Sequence, residues 1–72
     1  MPRKRSIIPG AAMAEILKRA GAERVSDKAA TAMAEVMMEK AFEMAEDAVK
    51  LSKHAGRKTI KKEDIDLARR SI

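Results

Sequence analysis

A chain of 72 residues is long enough for one small domain and too short to bury a large core within a single copy. It has no cysteine and one histidine, which excludes disulfides and the usual zinc ligand sets, so oligomerisation is the remaining route to a larger core. The net charge of +5 predicts an anionic partner.

Several function classes do not fit this composition. No apolar run is long enough to span a membrane, and the first residues, MPRKRS, have no apolar core behind them as a signal peptide would. The chain is therefore expected to stay in the cytoplasm. With one histidine, no cysteine and no glycine-rich phosphate loop, it is not expected to be an enzyme, and no cofactor, metal or small-molecule substrate is predicted.

The N-terminal segment divides into an arm and a helix. Residues 1–8 form a basic arm carrying Arg3, Lys4 and Arg5, which we expect to be flexible in the free protein, and residues 9–72 form the domain. A helix is predicted over 9–20, with Pro9 as its first residue and Gly21 as its stop. Its apolar positions follow helical spacing: Met13, Ile16, Leu17 and Ala20.

A much longer helix is predicted next. Ser26 is suited to cap it, Asp27 lies in its first turn, and nothing breaks it until Gly56, so it runs to about Ala55. It has two apolar stripes, one formed by Met33, Met37, Met44, Ala48, Leu51 and Ala55, and the other by Met38, Phe42, Ala45 and Val49. A helix that is apolar on two sides must be covered on two sides. The pattern predicts a dimer in which a second copy crosses antiparallel, although a methionine-rich stripe is also typical of a promiscuous binding groove.

The stretch HAGRKTIKKEDI, residues 54–65, concentrates positive charge around Gly56. No acidic residue occurs from position 50 to 62, and the pair Glu63 and Asp64 follows directly. This run is either a phosphate-binding surface or a solvated face. A third helix is predicted over 61–72, with the two carboxylates in its first turn and Arg69 and Arg70 in its last, as the helix dipole favours.

Two stretches, AGAERVSD (20–27) and KHAGRKTIKKEDIDLA (53–68), are separated by the long helix. They closely resemble the archaeal histones, and the resemblance covers essentially residues 9 to 70. It implies an all-α histone fold, short helix–loop–long helix–loop–short helix, that forms a handshake dimer and wraps DNA without reading its sequence. In such a dimer the first loop of one chain lies beside the second loop of the other. Histone arginines enter the minor groove where it faces inward.

The resemblance also assigns roles to residues. Arg24 matches an arginine that enters the minor groove, and Lys58 and Thr59 match a pair that contacts the DNA backbone; with the neighbouring basic positions, the predicted DNA-binding set is Lys18, Arg24, Arg57, Lys58, Thr59 and Lys61. Arg57 and Asp64 match an ion pair that braces the second loop, and Gly21 matches the position where turns of long protein–DNA fibres stack. The predicted dimer core contains Met33, Met37, Met44 and Leu51, and the predicted dimer–dimer contact contains Leu51, His54, Asp64 and Leu67.

Some positions allow a simpler interpretation or depart from the family. Without the motif, Arg24 would be an ordinary surface arginine, His54 a partner of the helix dipole, and Arg57–Asp64 an inert surface pair. Glu15 lies where some members place a DNA-facing arginine, which should weaken that contact. We predict an architectural protein that compacts double-stranded DNA, is associated with the chromosome, and forms larger oligomers or pairs with paralogues. The alternative is a transcription-factor subunit that pairs with a distinct partner.

Overall fold

The computed structural model describes residues 6–71, excluding the side chain of Ser71. It contains a short helix α1 (Gly10–Arg19), a long helix α2 (Asp27–His54) and a short helix α3 (Lys62–Ala68), followed by a 3-10 turn (Arg69–Ser71). No strand occurs within residues 6–71. The predicted all-α order of short, long and short helices is confirmed. Arg3, Lys4 and Arg5 of the predicted arm lie outside the described residues.

Helix α1 begins one residue later than predicted. Pro9 occupies the capping position before it, with φ −65° and ψ 136°, and Gly10 is the first helical residue. The helix ends where Gly21 adopts a φ of +121°, a conformation that favours glycine. The N–H groups of Gly21 and Ala22 donate to the carbonyls of Lys18 and Leu17, each at 3.0 Å, which closes the end as a Schellman motif.

Helix α2 has the two ends that its sequence predicts. At its start, the hydroxyl of Ser26 accepts a hydrogen bond of 3.1 Å from the N–H of Ala29, as an N-cap does. At its end, Gly56 has a φ of +74°, and its N–H donates to the carbonyl of Lys53 at 2.9 Å. The N–H of Arg57 donates to the carbonyl of Ser52, also at 2.9 Å, so both connectors begin with the same Schellman motif.

Helix α3 is shorter than predicted. The carboxylate of Asp64 accepts a hydrogen bond of 2.8 Å from the N–H of Lys61, the residue before the helix, and so satisfies one of the free donors at its start. The α-helix ends at Ala68, and the next residues tighten into a 3-10 turn. Arg69 and Arg70 therefore lie in that turn rather than in a last α-helical turn. The prediction of an α-helix to residue 72 was too long.

The chain forms two compact units, Met1–Glu39 and Lys40–Ile72, with the boundary inside α2. In the first, the segment before α1 contacts α2, because the hydroxyl of Ser6 donates to the carbonyl of Ala34 at 3.0 Å. Ser6, predicted as part of the arm, is thus bound to the helix by this contact. The buried apolar residues of this unit are Met13, Ala30 and Ala34.

The second unit buries small or polar side chains. Its buried residues are Ala48, Ser52, Asp64 and Ala68. Larger apolar side chains in both units remain open to solvent, including Ile16, Val36, Val49, Ile65 and Leu67. A single chain therefore leaves much of its apolar surface uncovered within the described residues, which is typical of a protein that is completed by another chain.

Candidate nucleic-acid interface

The loop between α2 and α3 is held by an ion pair. The Nη1 and Nη2 atoms of Arg57 donate to Oδ2 and Oδ1 of Asp64 at 2.9 and 2.8 Å, a bidentate arrangement. Nη1 also donates to the carbonyl of Thr59 at 3.0 Å. The side chain of Asp64 is 3% exposed and that of Arg57 26%, so this pair is largely shielded from water. Shielding and two parallel bonds distinguish it from an ordinary surface ion pair.

The ion pair also changes the acidity of both groups. Hydrogen bonds from Arg57 and from the N–H of Lys61 lower the pKa of Asp64 to about 2, although burial acts in the opposite direction. The hydrogen bond to Asp64 in turn raises the pKa of Arg57 above its ordinary value. Both side chains are therefore charged at neutral pH, and the positive charge of Arg57 is balanced locally.

Ser52 is a contributor that the sequence interpretation missed. It is 1% exposed, and its hydroxyl lies 3.2 Å from the carbonyl oxygen of Arg57 and 3.1 Å from that of Thr59. Its spacing of four from the buried Ala48 placed it on an inward face of α2. This spacing could have predicted that Ser52 is buried, but not which atoms its hydroxyl contacts.

The outer side of this loop carries uncompensated positive charge. Lys58, Thr59 and Lys61 are exposed, and within residues 6–71 neither lysine forms an ion pair. Lys62, by contrast, pairs with Asp66 at 2.8 Å. The structure therefore brings three of the predicted DNA-binding residues together beside a braced loop. Arg57 is in the same loop, but both of its Nη atoms are already engaged.

The other two predicted DNA contacts belong to the first unit. Lys18 lies in the last turn of α1 and Arg24 in the loop that follows, and both are exposed. Glu15, one turn before the end of α1, forms an ion pair with Arg19. Its carboxylate is thus balanced by a neighbouring arginine. Within residues 6–71, no atom outside the neighbouring residues lies within 4 Å of a Cβ placed at Gly21, so this position is open in the single chain.

The structure also shows how exposed the residues predicted at protein–protein contacts are in the single chain. The predicted dimer-core residues are all half-buried: Met33, Met37, Met44 and Leu51. Leu51 and Leu67 line one groove of about 480 Å³, so two of the four predicted dimer–dimer residues face the same space. His54 is exposed at the end of α2. Asp64 is buried and already accepts three hydrogen bonds, so a histidine from another dimer would have to share its carboxylate.

Residues 6–71 contain no group of three or more histidine, aspartate or glutamate side chains that could hold a metal ion. None of the helices in that range is both long enough and apolar enough to cross a membrane.

Comparison with known proteins decides the family. A family model described as "Histone-like transcription factor (CBF/NF-Y) and archaeal histone" matches residues 7–68. The chain belongs to this family. Its three-helix order is that of the histone fold, and the match includes both connectors and all three α-helices.

Two curated archaeal histones are similar over most of their length. One, a subunit of the archaeal histone HAN1 from Thermococcus zilligii, is 48% identical over 61 residues, which are 85% of this chain and 91% of that protein. The other, "Probable archaeal histone 3" from Methanocaldococcus jannaschii, is 49% identical over 63 residues, 88% of this chain and 94% of that protein. Identity at this level across nearly the whole chain confirms the resemblance to archaeal histones.

Proposed function

We propose that this chain is an architectural chromatin protein that binds and wraps double-stranded DNA with little sequence specificity. The observation that carries the proposal is the braced loop before α3. It presents Lys58, Thr59 and Lys61 to solvent, while Asp64 balances Arg57 instead of the exposed lysines. Exposed lysines suit phosphates, which all DNA sequences share, and the loop has no group committed to base edges.

Dimerisation is part of the proposal. The half-buried methionines and the exposed Val36 and Val49 on α2 are the surface that a second copy would cover. In the handshake arrangement, Arg24 and Lys18 of one chain join the basic loop of the other, so each dimer has two DNA-binding ends. The protein is then associated with the chromosome, and dimers that bind side by side form longer assemblies.

Nuclease digestion tests this function. The protein is reconstituted on DNA of mixed sequence and digested with micrococcal nuclease. We expect protected fragments that form a regular ladder, with the same step on DNA of unrelated sequences. Digestion to short fragments at every protein concentration, without protection, is the result that excludes wrapping.

A second function also has support. The family description includes histone-like transcription factors, and the similar protein from Thermococcus zilligii is named as one subunit of a histone. In that case the chain would pair with a distinct histone-fold partner and act at specific DNA sequences. Protection of one sequence only, and only when a partner chain is added, would favour this second function.

A further inference from the structure

We propose that the hydroxyl of Ser52 is a positioning group for DNA binding, because it turns the backbone of the loop before α3 so that its N–H groups face the phosphates. This inference rests on the proposed function and identifies how one end of the binding surface is shaped. Ser52 lies on α2 and does not itself reach the outer surface, since it is 1% exposed. It acts through the loop.

First, Ser52 is hydrogen-bonded to the loop through both its backbone and its side chain. Its carbonyl accepts the N–H of Arg57 at 2.9 Å, and its hydroxyl lies 3.2 Å from the Arg57 carbonyl and 3.1 Å from the Thr59 carbonyl. One hydroxyl proton serves two acceptors, by sharing or by alternating between them. The Arg57 carbonyl is thereby directed inward, toward the helix, and so is the Thr59 carbonyl, which also accepts a hydrogen bond from Nη1 of Arg57 at 3.0 Å.

The second step follows from peptide geometry. No peptide bond in the described residues is cis, and in a planar trans peptide the N–H points opposite to the C=O. The peptide that contains the Arg57 carbonyl also contains the N–H of Lys58, and the peptide that contains the Thr59 carbonyl contains the N–H of Ile60. Directing these carbonyls at Ser52 turns both N–H groups away from the helix.

The third step concerns charge. Neither the N–H of Lys58 nor that of Ile60 donates to another atom within residues 6–71. Two free backbone donors in a loop that also carries the exposed Lys58 form a surface that favours phosphate oxygens. Two carbonyl oxygens turned outward would instead repel them. The hydroxyl therefore contributes to phosphate binding although it carries no charge and makes no contact with DNA.

The test begins with Ser52→Ala. Alanine has the higher helix propensity, so the variant should fold and keep the thermal midpoint of the dimer within a few degrees. Its affinity for a mixed-sequence duplex should fall about fivefold for each loop engaged, as expected for one lost hydrogen bond. The slope of affinity against salt should not change, because every lysine and arginine remains. Unchanged affinity would overturn the proposal.

A matched pair separates the hydroxyl from packing at the buried site. Threonine and valine have nearly the same shape, and the Ser52→Thr and Ser52→Val variants differ in whether a hydroxyl or a methyl group occupies one position. We expect the threonine variant to bind DNA about fivefold more tightly than the valine variant per loop engaged. Equal affinities of the two variants would mean that packing, and not the hydrogen bonds, explains any loss in Ser52→Ala.

A measurement without DNA distinguishes failure of this inference from failure of the proposed function. Amide hydrogen exchange at Arg57 reports how firmly the loop is held against the end of α2. The N–H of Arg57 donates to the backbone carbonyl of Ser52, which every variant keeps, so faster exchange means that the loop has moved away. Exchange there should accelerate in Ser52→Ala and in Ser52→Val, and not in Ser52→Thr. If the parent protein binds no duplex, the proposed function fails, while this exchange pattern still supports the positioning of the loop. If exchange is the same in all variants, Ser52 does not position the loop.

Discussion

Arg57 and Asp64, seven residues apart, are joined by two parallel hydrogen bonds of 2.9 and 2.8 Å that close the loop before α3 onto the start of that helix. The same carboxylate accepts the N–H of Lys61 at 2.8 Å. A single acidic side chain thus braces the loop and caps α3. This explains why carboxylates directly follow a run of positive charge: Asp64 compensates Arg57 and leaves Lys58 and Lys61 unpaired within the described residues.

The shape of the Arg57 side chain should matter more than its charge. In Arg57→Lys the charge remains, but one ammonium cannot make both bonds to Asp64. We expect DNA affinity to fall by about tenfold, as for the loss of one charge-assisted hydrogen bond, with an unchanged salt slope. Arg70→Lys, an exposed arginine in the 3-10 turn, is the matched control and should bind like the parent. Fluorescence anisotropy with a labelled duplex measures the DNA affinity of both variants. Equal losses of affinity in Arg57→Lys and Arg70→Lys would contradict the bracing role of Arg57.

Acid should weaken the folded state through Asp64. Its pKa is about 2 in the folded protein, below the ordinary value of 3.8, so the carboxylate stabilises the fold above pH 4. That contribution is lost as the pH falls from about 4 to about 2. We expect the parent to be more stable than Asp64→Asn at pH 6, and the difference to shrink across this window. Urea unfolding at several pH values measures it; a difference that stays constant to pH 2 would contradict the assignment.

Folding should depend on protein concentration. If a second copy covers the apolar faces of α2, the thermal midpoint rises as the concentration rises. Val49→Asp should raise the dissociation constant of the dimer on the order of a hundredfold or more, because it would bury an unpaired charge. Ile7→Asp is the control, since Ile7 is 84% exposed. Sedimentation equilibrium measures the dissociation constant, and thermal melts at several protein concentrations measure the midpoint. A midpoint independent of concentration would exclude an obligate dimer.

Unpaired lysines should dominate the salt dependence of DNA binding. Lys58→Ala removes an exposed cation that has no carboxylate partner within residues 6–71, so the log–log slope should decrease by about 0.9 for each phosphate that the lysine no longer neutralises. Lys62→Ala removes a lysine that is already paired with Asp66 at 2.8 Å and should change the slope less. Binding isotherms at several salt concentrations give both slopes. A larger effect at Lys62 would mean that phosphates approach from a different side.

The contact between dimers should involve the groove that Leu51 and Leu67 line. The double variant Leu51→Lys, His54→Glu should still form dimers and bind DNA, yet lose nuclease protection beyond the length that one dimer covers. Such a contact is small, so it forms mainly when DNA holds dimers at high effective concentration. Protection of the same ladder by parent and variant would show that these residues do not join dimers.

Most helix boundaries follow from local signals. Gly21 and Gly56 have positive φ values, and the hydroxyl of Ser26 caps α2, so each of these boundaries depends on residues that are neighbours in the chain. The end of α3 is different, because residues 69–72 include no glycine or proline. Arg69 and Arg70 are compatible with both an α-helical and a 3-10 turn, and the sequence has no feature that distinguishes them.

The sequence by itself determined the helix order, the two-sided apolar face of α2 and the position of the basic loop. These depend on periodicity, on glycine at positive φ and on charge, all of which are local properties. Tertiary structure alone decided which atoms meet across the loop. The hydroxyl of Ser52 reaches carbonyls five and seven residues later only because the loop folds back over the end of α2. Backbone acceptors are the same at every residue, so no residue type in the sequence marks them as partners of Ser52.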